Sequence, residues 1–452
     1  MKIIIVGAGP TGLTLGAALA RRGNGVDVID RDGGPAPDGS WERRGVMQFH
    51  QAHGFRPQVR ELLLDEWPEA WRAWLELGAE PVAVPSPDGA APLVAVRSRR
   101  ITYERALRRA AGELDGLNVV AGAVSALIER NGRIAGVVVD GAAWEADLVV
   151  DASGRLSRLA APPERGGNAG MAYVSRTFRR PPGAEPGPIS SPFAWSGRFV
   201  GYDAYVFPHE HGHISAVIIR PTADAGLGVL RRLDAFEAAC RAIPGLSEWT
   251  GSATPTSGVM VGAGLLNTYR PQAGRPGLVA LGDSLATTAP TAGRGIAMAS
   301  MQIRALLDLL DGGAGIDDVT TRFAPWCDAN IRPWVQDHLD FDAETVRRWQ
   351  GHDLDLSGPL TSTAIVDASQ ADPRIAPLAA PFLAMTALPA SLSAAEPLAR
   401  AVYATGWRPP SAEGPTRDEL LALAAASRSH PRSSPATTTR SRTTNRTRPL
   451  SA

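Results

Sequence analysis

Gly7, Gly9 and Gly12 stand at GxGxxG spacing, and Asp30 follows where a carboxylate can accept both hydroxyls of a ribose. Gly7 permits a tight turn, Gly9 lets a pyrophosphate approach the backbone, and Gly12 lets a helix lie close to a strand. Pro10 and Thr11 sit inside the motif and Arg31 follows the acid. The chemistry this implies is dinucleotide binding, with phosphates on free backbone N–H groups. Far along the chain, Gly282-Asp283 is followed by Pro290, Gly293, Gly295 and Ile296. Asp283 suits the hydroxyls of a ribityl chain, and the later glycines let backbone N–H groups reach a flavin pyrimidine. The two groups together specify FAD held along its length. Asp30 disfavours a 2′-phosphate, so the first site is not built for NADP.

These residues need particular elements to hold them. Residues 2–6 are an apolar, β-branched run suited to a buried parallel strand. A helix over 11–22 aims its N-terminus at the phosphates, Gly23 and Gly25 close it, and 26–29 form the second strand. Residues 278–281 make a short strand ending at Gly282. A helix over 296–310 then adds partial positive charge where reduced flavin is negative.

Three further segments carry a family resemblance: Trp-Glu-Arg-Arg-Gly-Val-Met-Gln at 41–48, Arg-Ile-Thr-Tyr-Glu-Arg-Ala-Leu at 100–107, and Asp-Leu-Val-Val-Asp-Ala-Ser-Gly-Arg at 147–155. With the glycine motifs, they make the chain resemble the FAD-dependent monooxygenases of the p-hydroxybenzoate hydroxylase superfamily, among the glutathione-reductase-type flavoproteins. The resemblance spans residues 1–345. It implies that Gly282 and Asp283 bind the ribityl and pyrophosphate, and that Asp151 and Gly154 lie near flavin and nicotinamide phosphates. It further implies that Arg100 touches the FAD, with Val124 among the cofactor contacts. An arginine of the 41–48 loop should contact FAD and line the active site. Arg43 and Arg44 both qualify, and Arg44, bordering Gly45, is the first choice. The activity implied is monooxygenation of an apolar, aromatic or secondary-metabolite substrate by dioxygen through a flavin hydroperoxide.

The chain departs from the pattern in two places. Gly282-Asp283-Ser284-Leu285-Ala286 replaces the usual Gly-Asp-Ala-Ala-His, and Asp151-Ala152-Ser153-Gly154 replaces Ala-Asp-Gly. These leave the reductant open between NAD(P)H and an external flavin reductase. They also keep a geranylgeranyl-reductase-like dehydrogenase as an alternative, with a catalytically silent flavin-binding module as a lesser one. Flavin-dependent halogenases share this fold and are thought to use a lysine. Lys2, at the base of the first strand, is the only lysine, and the Trp-x-Trp-x-Ile-Pro signature is missing. Halogenation is therefore not expected.

The expected fold class is α/β: a Rossmann-type FAD-binding domain over 1–164 and 270–320 with an inserted β-meander, and an α+β substrate domain with an antiparallel sheet over 165–269. A helical C-terminal region over 321–426 and a disordered tail over 427–452 complete it. The meander should run through 119–120, 124–129, 134–139 and 148–150. A helix over 230–243 should stop at Pro244-Gly245. Formal net charge is zero, so there is no electrostatic case for nucleic acid or an anionic membrane. No uncharged apolar run reaches the ~18 residues a membrane span needs. Cys240 and Cys327 form neither a metal spacing nor a disulfide framework. With the motif starting at the first residues, the expectation is a cytoplasmic protein without a targeting peptide.

His50 and His53 lack a third ligand, so no metal is expected; His53 is taken with Arg44 as a catalytic candidate lining the substrate channel. His209, His211 and His213 alternate with Glu210 and Gly212 after Pro208, which reads as a solvated hairpin turn. Trp195, Tyr202, Tyr205 and Phe207 suit either stacking on an aromatic substrate or core packing.

Overall fold

The computed structural model describes residues 1–86, 89 and 91–429. Its centre is a five-stranded parallel sheet in the order Leu278–Ala280, Leu148–Asp151, Lys2–Val6, Gly25–Asp30, Leu117–Ala121. The first strand has no polar face because both its faces are covered. Ile3 and Ile5 pack with Leu13, Leu15, Leu107 and Leu306 of the helices Pro10–Arg21, Arg100–Ala111 and Gly295–Asp311. Ile4 and Val6 pack with Ile134, Val137 and Val139 on the opposite face.

Those last residues belong to a three-stranded antiparallel meander, Val124–Arg130, Arg133–Val139 and Ala142–Glu145. Its turns, Asn131-Gly132 and Asp140-Gly141, have positive φ throughout, as tight hairpins whose twist matches the strands require. The expected meander was partly misassigned. Residues 119–120 and 148–150 lie in the parallel sheet instead, and Ala142–Glu145 is the third meander strand. Local alternation cannot separate the two sheets, because parallel pairing is decided by residues far apart in sequence.

The second large sheet is antiparallel, with Trp195–Phe199, Tyr202–Pro208, His213–Pro221 and Met171–Arg179 side by side. Its two faces divide the four predicted aromatics. Trp195 and Tyr202 pack with Phe236, Leu246 and Trp249 under the helices Leu233–Ala242 and Pro244–Thr250. Tyr205 and Phe207 point the other way, toward Met47, Ala52 and Ala289. The first of these helices ends just before Pro244, as expected, and Pro244 has a second role. It opens a second short helix, where a residue without an N–H fits the first turn. Helices Ile316–Asn330, Arg332–Trp349, Ser362–Ala368, Ile375–Leu383, Glu396–Ala404 and Arg417–Ala426 follow among the described residues. The tail expectation falls almost wholly on 430–452, outside the described residues. No helix among the described residues is long and apolar enough to cross a membrane.

The hairpin turn at 209–213 is present, with His211 at φ 56° and Gly212 at φ 72°, but it is not solvated as expected. His209 is buried and hydrogen-bonds Ser215 Oγ at 3.0 Å, and Glu210 is fully buried. The Glu210 carboxylate accepts from Arg99 N (2.8 Å), Arg99 Nε (2.6 Å) and Thr102 Oγ1 (2.5 Å). Burial alone would raise its pKa, but Arg99 and these donors hold the carboxyl below the usual range. Glu210 thus fastens the antiparallel sheet to the start of the helix Arg100–Ala111. Removing the carboxylate leaves Arg99, 31% exposed, to water but strands the buried Thr102 hydroxyl and the packing around it, which typically costs about 1–3 kcal/mol. Glu210→Ala should lower the urea unfolding free energy by about that amount, with Glu210→Gln in between. A loss below about 0.5 kcal/mol for the alanine variant would contradict this role.

Candidate functional site

Three parallel strands deliver their C-terminal ends to one place. Lys2–Val6 lies between Leu148–Asp151 and Gly25–Asp30, so connections leave it in opposite directions and a crevice opens above its end. The approach there is closer than any side chain allows. A Cβ on Gly12 would lie 1.9 Å from Gly7 O, and one on Gly7 would lie 2.4 Å from Ala152 O. Thr11 Oγ1 lies 2.7 Å from where Gly282 would carry its Cβ. The motifs at 7–12, 151–154 and 282–283 are therefore in contact. Gly9, Gly154 and Gly293 differ. At Gly9 only Arg43 Nη1 comes within 4 Å, at 3.8 Å, and at the other two nothing does. The backbone is open to a ligand at those points.

At one end, Asp30 accepts from Ala8 N (2.8 Å) and Asp32 N (2.9 Å), which fixes its carboxylate beside the glycine turn. The arginine there is Arg43, not Arg44. Arg43 is buried and donates to Asp30 (2.7 Å), Asp32 (3.1 Å) and Glu104 (2.5 Å), whereas Arg44 is exposed. Three carboxylates around one pocket explain the choice, since a guanidinium's fork can satisfy several acceptors at once. Arg31 is also exposed, its guanidinium lying over Gly45, where a Cβ would approach Arg31 Nη2 to 2.6 Å. Val124 packs with the meander-side core.

At the other end, Asp283 is open to the crevice, where surrounding protein atoms push its carboxyl up while Arg100, Arg155 and Arg270 pull it down. Arg100 also donates to Glu104 (2.5 Å), so Arg100 and Glu104 connect the two ends of the crevice. His53 lies close to Arg100, half-buried, with its ring stacked on Phe55 and Nδ1 3.2 Å from Gln51 O. Burial and the Arg100 charge push its pKa down to about 3, so the ring is neutral near pH 7.

Asp151 does not face the crevice. It is fully buried and accepts from Ser153 N (3.0 Å), Ser153 Oγ (2.6 Å), Ser157 Oγ and Ser284 Oγ (3.2 Å). Its hydrogen-bonding capacity is used beneath the floor. Ser284 Oγ also accepts from Gly154 N at 3.0 Å. The two sequence departures, Ser153 and Ser284, thus act on the same carboxylate and lock 151–154 to the turn after Gly282.

The segment carrying Pro290, Gly293, Gly295 and Ile296 is held from behind. Arg56 donates to Ala292 O (2.8 Å) and Gly293 O (3.1 Å), and Arg294 donates to Asp337 (2.5 Å). Ala289 N donates to Asn267 Oδ1 (2.7 Å), Asn267 Nδ2 to Asp342 (2.7 Å), and Thr291 Oγ1 to Asp342 (3.1 Å). His338, fully buried, sits 3.1 Å from Thr291 Oγ1. Sequence reasoning gave no site role to Glu104, Asn267, Ser284, Asp337, His338 or Asp342. Polar residues among Trp334, Val335 and Trp349 on the apolar face of Arg332–Trp349 were the available signal.

Residues 5–65 match a family model described as an NAD(P)-binding Rossmann-like domain, and 94–164 match one described as tryptophan halogenase. No curated protein matches the chain in sequence. Among solved structures, a triple mutant of the flavin-dependent brominase Bmp2 is 16% identical, with a TM-score of 0.61 over 89% of this chain and 98% of that one. The myxobacterial chondrochloren halogenase CndH gives 16%, 0.57, 93% and 98% in the same terms. PqsL, a probable FAD-dependent monooxygenase from Pseudomonas aeruginosa, gives 16%, 0.56, 78% and 98%.

Burial pushes the Asp342 carboxyl up to about 6, against the pull of Asn267, Thr291 and Arg294. Its folded pKa lies above its unfolded one, so the folded chain holds the proton more tightly and stability falls as pH rises from 3.8 to about 6. Asp342→Asn removes this dependence. The unfolding free energy of the natural chain minus that of the variant should fall by roughly 2–3 kcal/mol across the window. A difference that does not change with pH would contradict it.

The crevice, the sheet order and the antiparallel second sheet together give this chain the fold shared by flavin-dependent halogenases and monooxygenases.

Proposed function

We propose that the chain is an FAD-dependent monooxygenase acting on an apolar organic substrate, aromatic or a secondary metabolite. The observation that carries this reading is the two-ended cradle. Asp30 and the glycine turn stand at one end, Asp283 and the 289–295 segment at the other, and the backbone between is open at Gly9, Gly154 and Gly293. A nicotinamide dinucleotide would not need the second end. When bound, FAD supplies the redox chemistry: reduction by NAD(P)H or an external reductase, then activation of dioxygen.

The chain's residues supply binding, orientation and electrostatics. Asp30 would hold the ribose, the N-terminus of Pro10–Arg21 the phosphates, and Asp283 the ribityl hydroxyls. Arg56, Arg294 and the N-terminus of Gly295–Asp311 place positive charge around the far loop, which suits an anionic reduced ring. His53, its pKa pushed down to about 3, stays a neutral ring and would orient flavin or substrate by hydrogen bonding rather than carry a proton. Phe207, Val217 and Ile219 offer an apolar wall that would exclude water from a buried substrate.

Halogenation is the second reading. The match of 94–164 to a tryptophan-halogenase model favours it, against the expectation from sequence. Any such chemistry here would proceed without a lysine near the crevice. Lys2 is exposed and pairs with Gly25 at the opposite end of the strand from the glycine turn.

FAD-loaded protein, reduced and exposed to oxygen-18 gas with a panel of phenols and indoles, separates the readings. Labelled oxygen in a product without added halide is expected. Brominated product only when bromide is present would transfer the assignment to halogenation. Asp30→Ala should weaken FAD binding at least tenfold, read by flavin fluorescence, and unchanged affinity would remove Asp30 from the site.

A further inference from the structure

A second cavity of about 180 Å³ lies away from the crevice, between the antiparallel sheet and the C-terminal helices. The helix Arg332–Trp349 stands between the two sites. His338 and Asp342 reach the 289–294 segment, while the neighbouring face carrying Phe341, Glu344, Thr345 and Arg348 lines the cavity. At this size it is below the ~300–1,000 Å³ common for ligand pockets, so an occupant must be small.

Charges in the wall do not balance. Three arginines line it and each is matched: Arg198 with Asp367, Arg348 with Asp203 at 2.8 Å, and Arg408 with Asp353 at 2.6 Å. Asp203 also accepts from Trp349 Nε1 at 3.0 Å. Glu344 is the carboxylate left over. Its nearest cation is Arg347, 3.9 Å away on the helix's outer side, and burial pushes its pKa up. Tyr205, Phe341 and Tyr403 supply aromatic surface. His352 lines the cavity as an exposed residue.

A carboxylate without a cation in the cavity wall and three rings form the set that recognises an ammonium on a small organic body. We propose that this cavity binds a small organic ammonium ion, with Glu344 as its counter-charge and the rings around its body. The site is separate from the FAD crevice and does not depend on the reaction assigned there.

Calorimetry on the full chain tests it with three probes of one shape: 2-phenylethylamine, 2-phenylethanol and 3-phenylpropionate. The amine should bind at least tenfold more tightly than the other two. Glu344→Gln should abolish that preference while thermal unfolding and FAD content stay unchanged, and Phe341→Ala should weaken the amine while leaving the order intact. The proposal is overturned by equal binding of the three, by no binding of the amine up to millimolar concentration, or by an amine preference that survives Glu344→Gln.

Discussion

Backbone meeting backbone at the end of the first strand is the contact on which the rest depends. With a Cβ on Gly12 only 1.9 Å from Gly7 O, and one on Gly7 only 2.4 Å from Ala152 O, no substituted residue fits either place. This closeness seats the helix Pro10–Arg21 on the sheet with its N-terminus at the crevice. It also brings the segments after Asp151 and Gly282 into contact with the glycine turn. Elements separated by more than a hundred residues of sequence then act as one wall.

Charge holds the outer layers onto that wall. Arg43 gathers Asp30, Asp32 and Glu104, and Glu104 also takes Arg100, which lies near Asp283 and His53. Glu210 fastens the antiparallel sheet to the residues at the start of the same helix. The helix Arg100–Ala111 is therefore the joint between the dinucleotide crevice and the apolar wall opposite. Buried carboxylates this well supplied with donors are costly to leave half-paired, which favours a single relative placement of the two sheets.

The local parts of this arrangement were legible in the sequence. Strand, turn, helix, strand and acid follow one another within 2–30, and each has a near-neighbour signature. The long-range pairings were not. Leu148–Asp151 is a short, wholly buried and largely apolar run that sits next to the meander in sequence, and only its register with Ile3 to Val6 places it in the parallel sheet. Arg43 and Arg44 could not be separated because their loop has no period. The pocket of three acids that selects Arg43 is assembled from positions 30, 32 and 104. Asp151 looked like a ligand contact because its motif sits at a strand end. That its hydrogen bonds go to Ser153, Ser157 and Ser284 depends on the turn at 282–284 folding beneath it.

The central claim is that one extended flavin dinucleotide lies from Asp30 to Asp283. The most direct measurement is titration of the purified chain, stripped of any bound cofactor, with FAD, FMN and NAD, followed by visible absorbance and flavin fluorescence. The account predicts one FAD per chain, with FMN and NAD each bound at least tenfold more weakly because each lacks one end of the contact. A chain that stays colourless in FAD, or binds FMN as tightly as FAD, would contradict it.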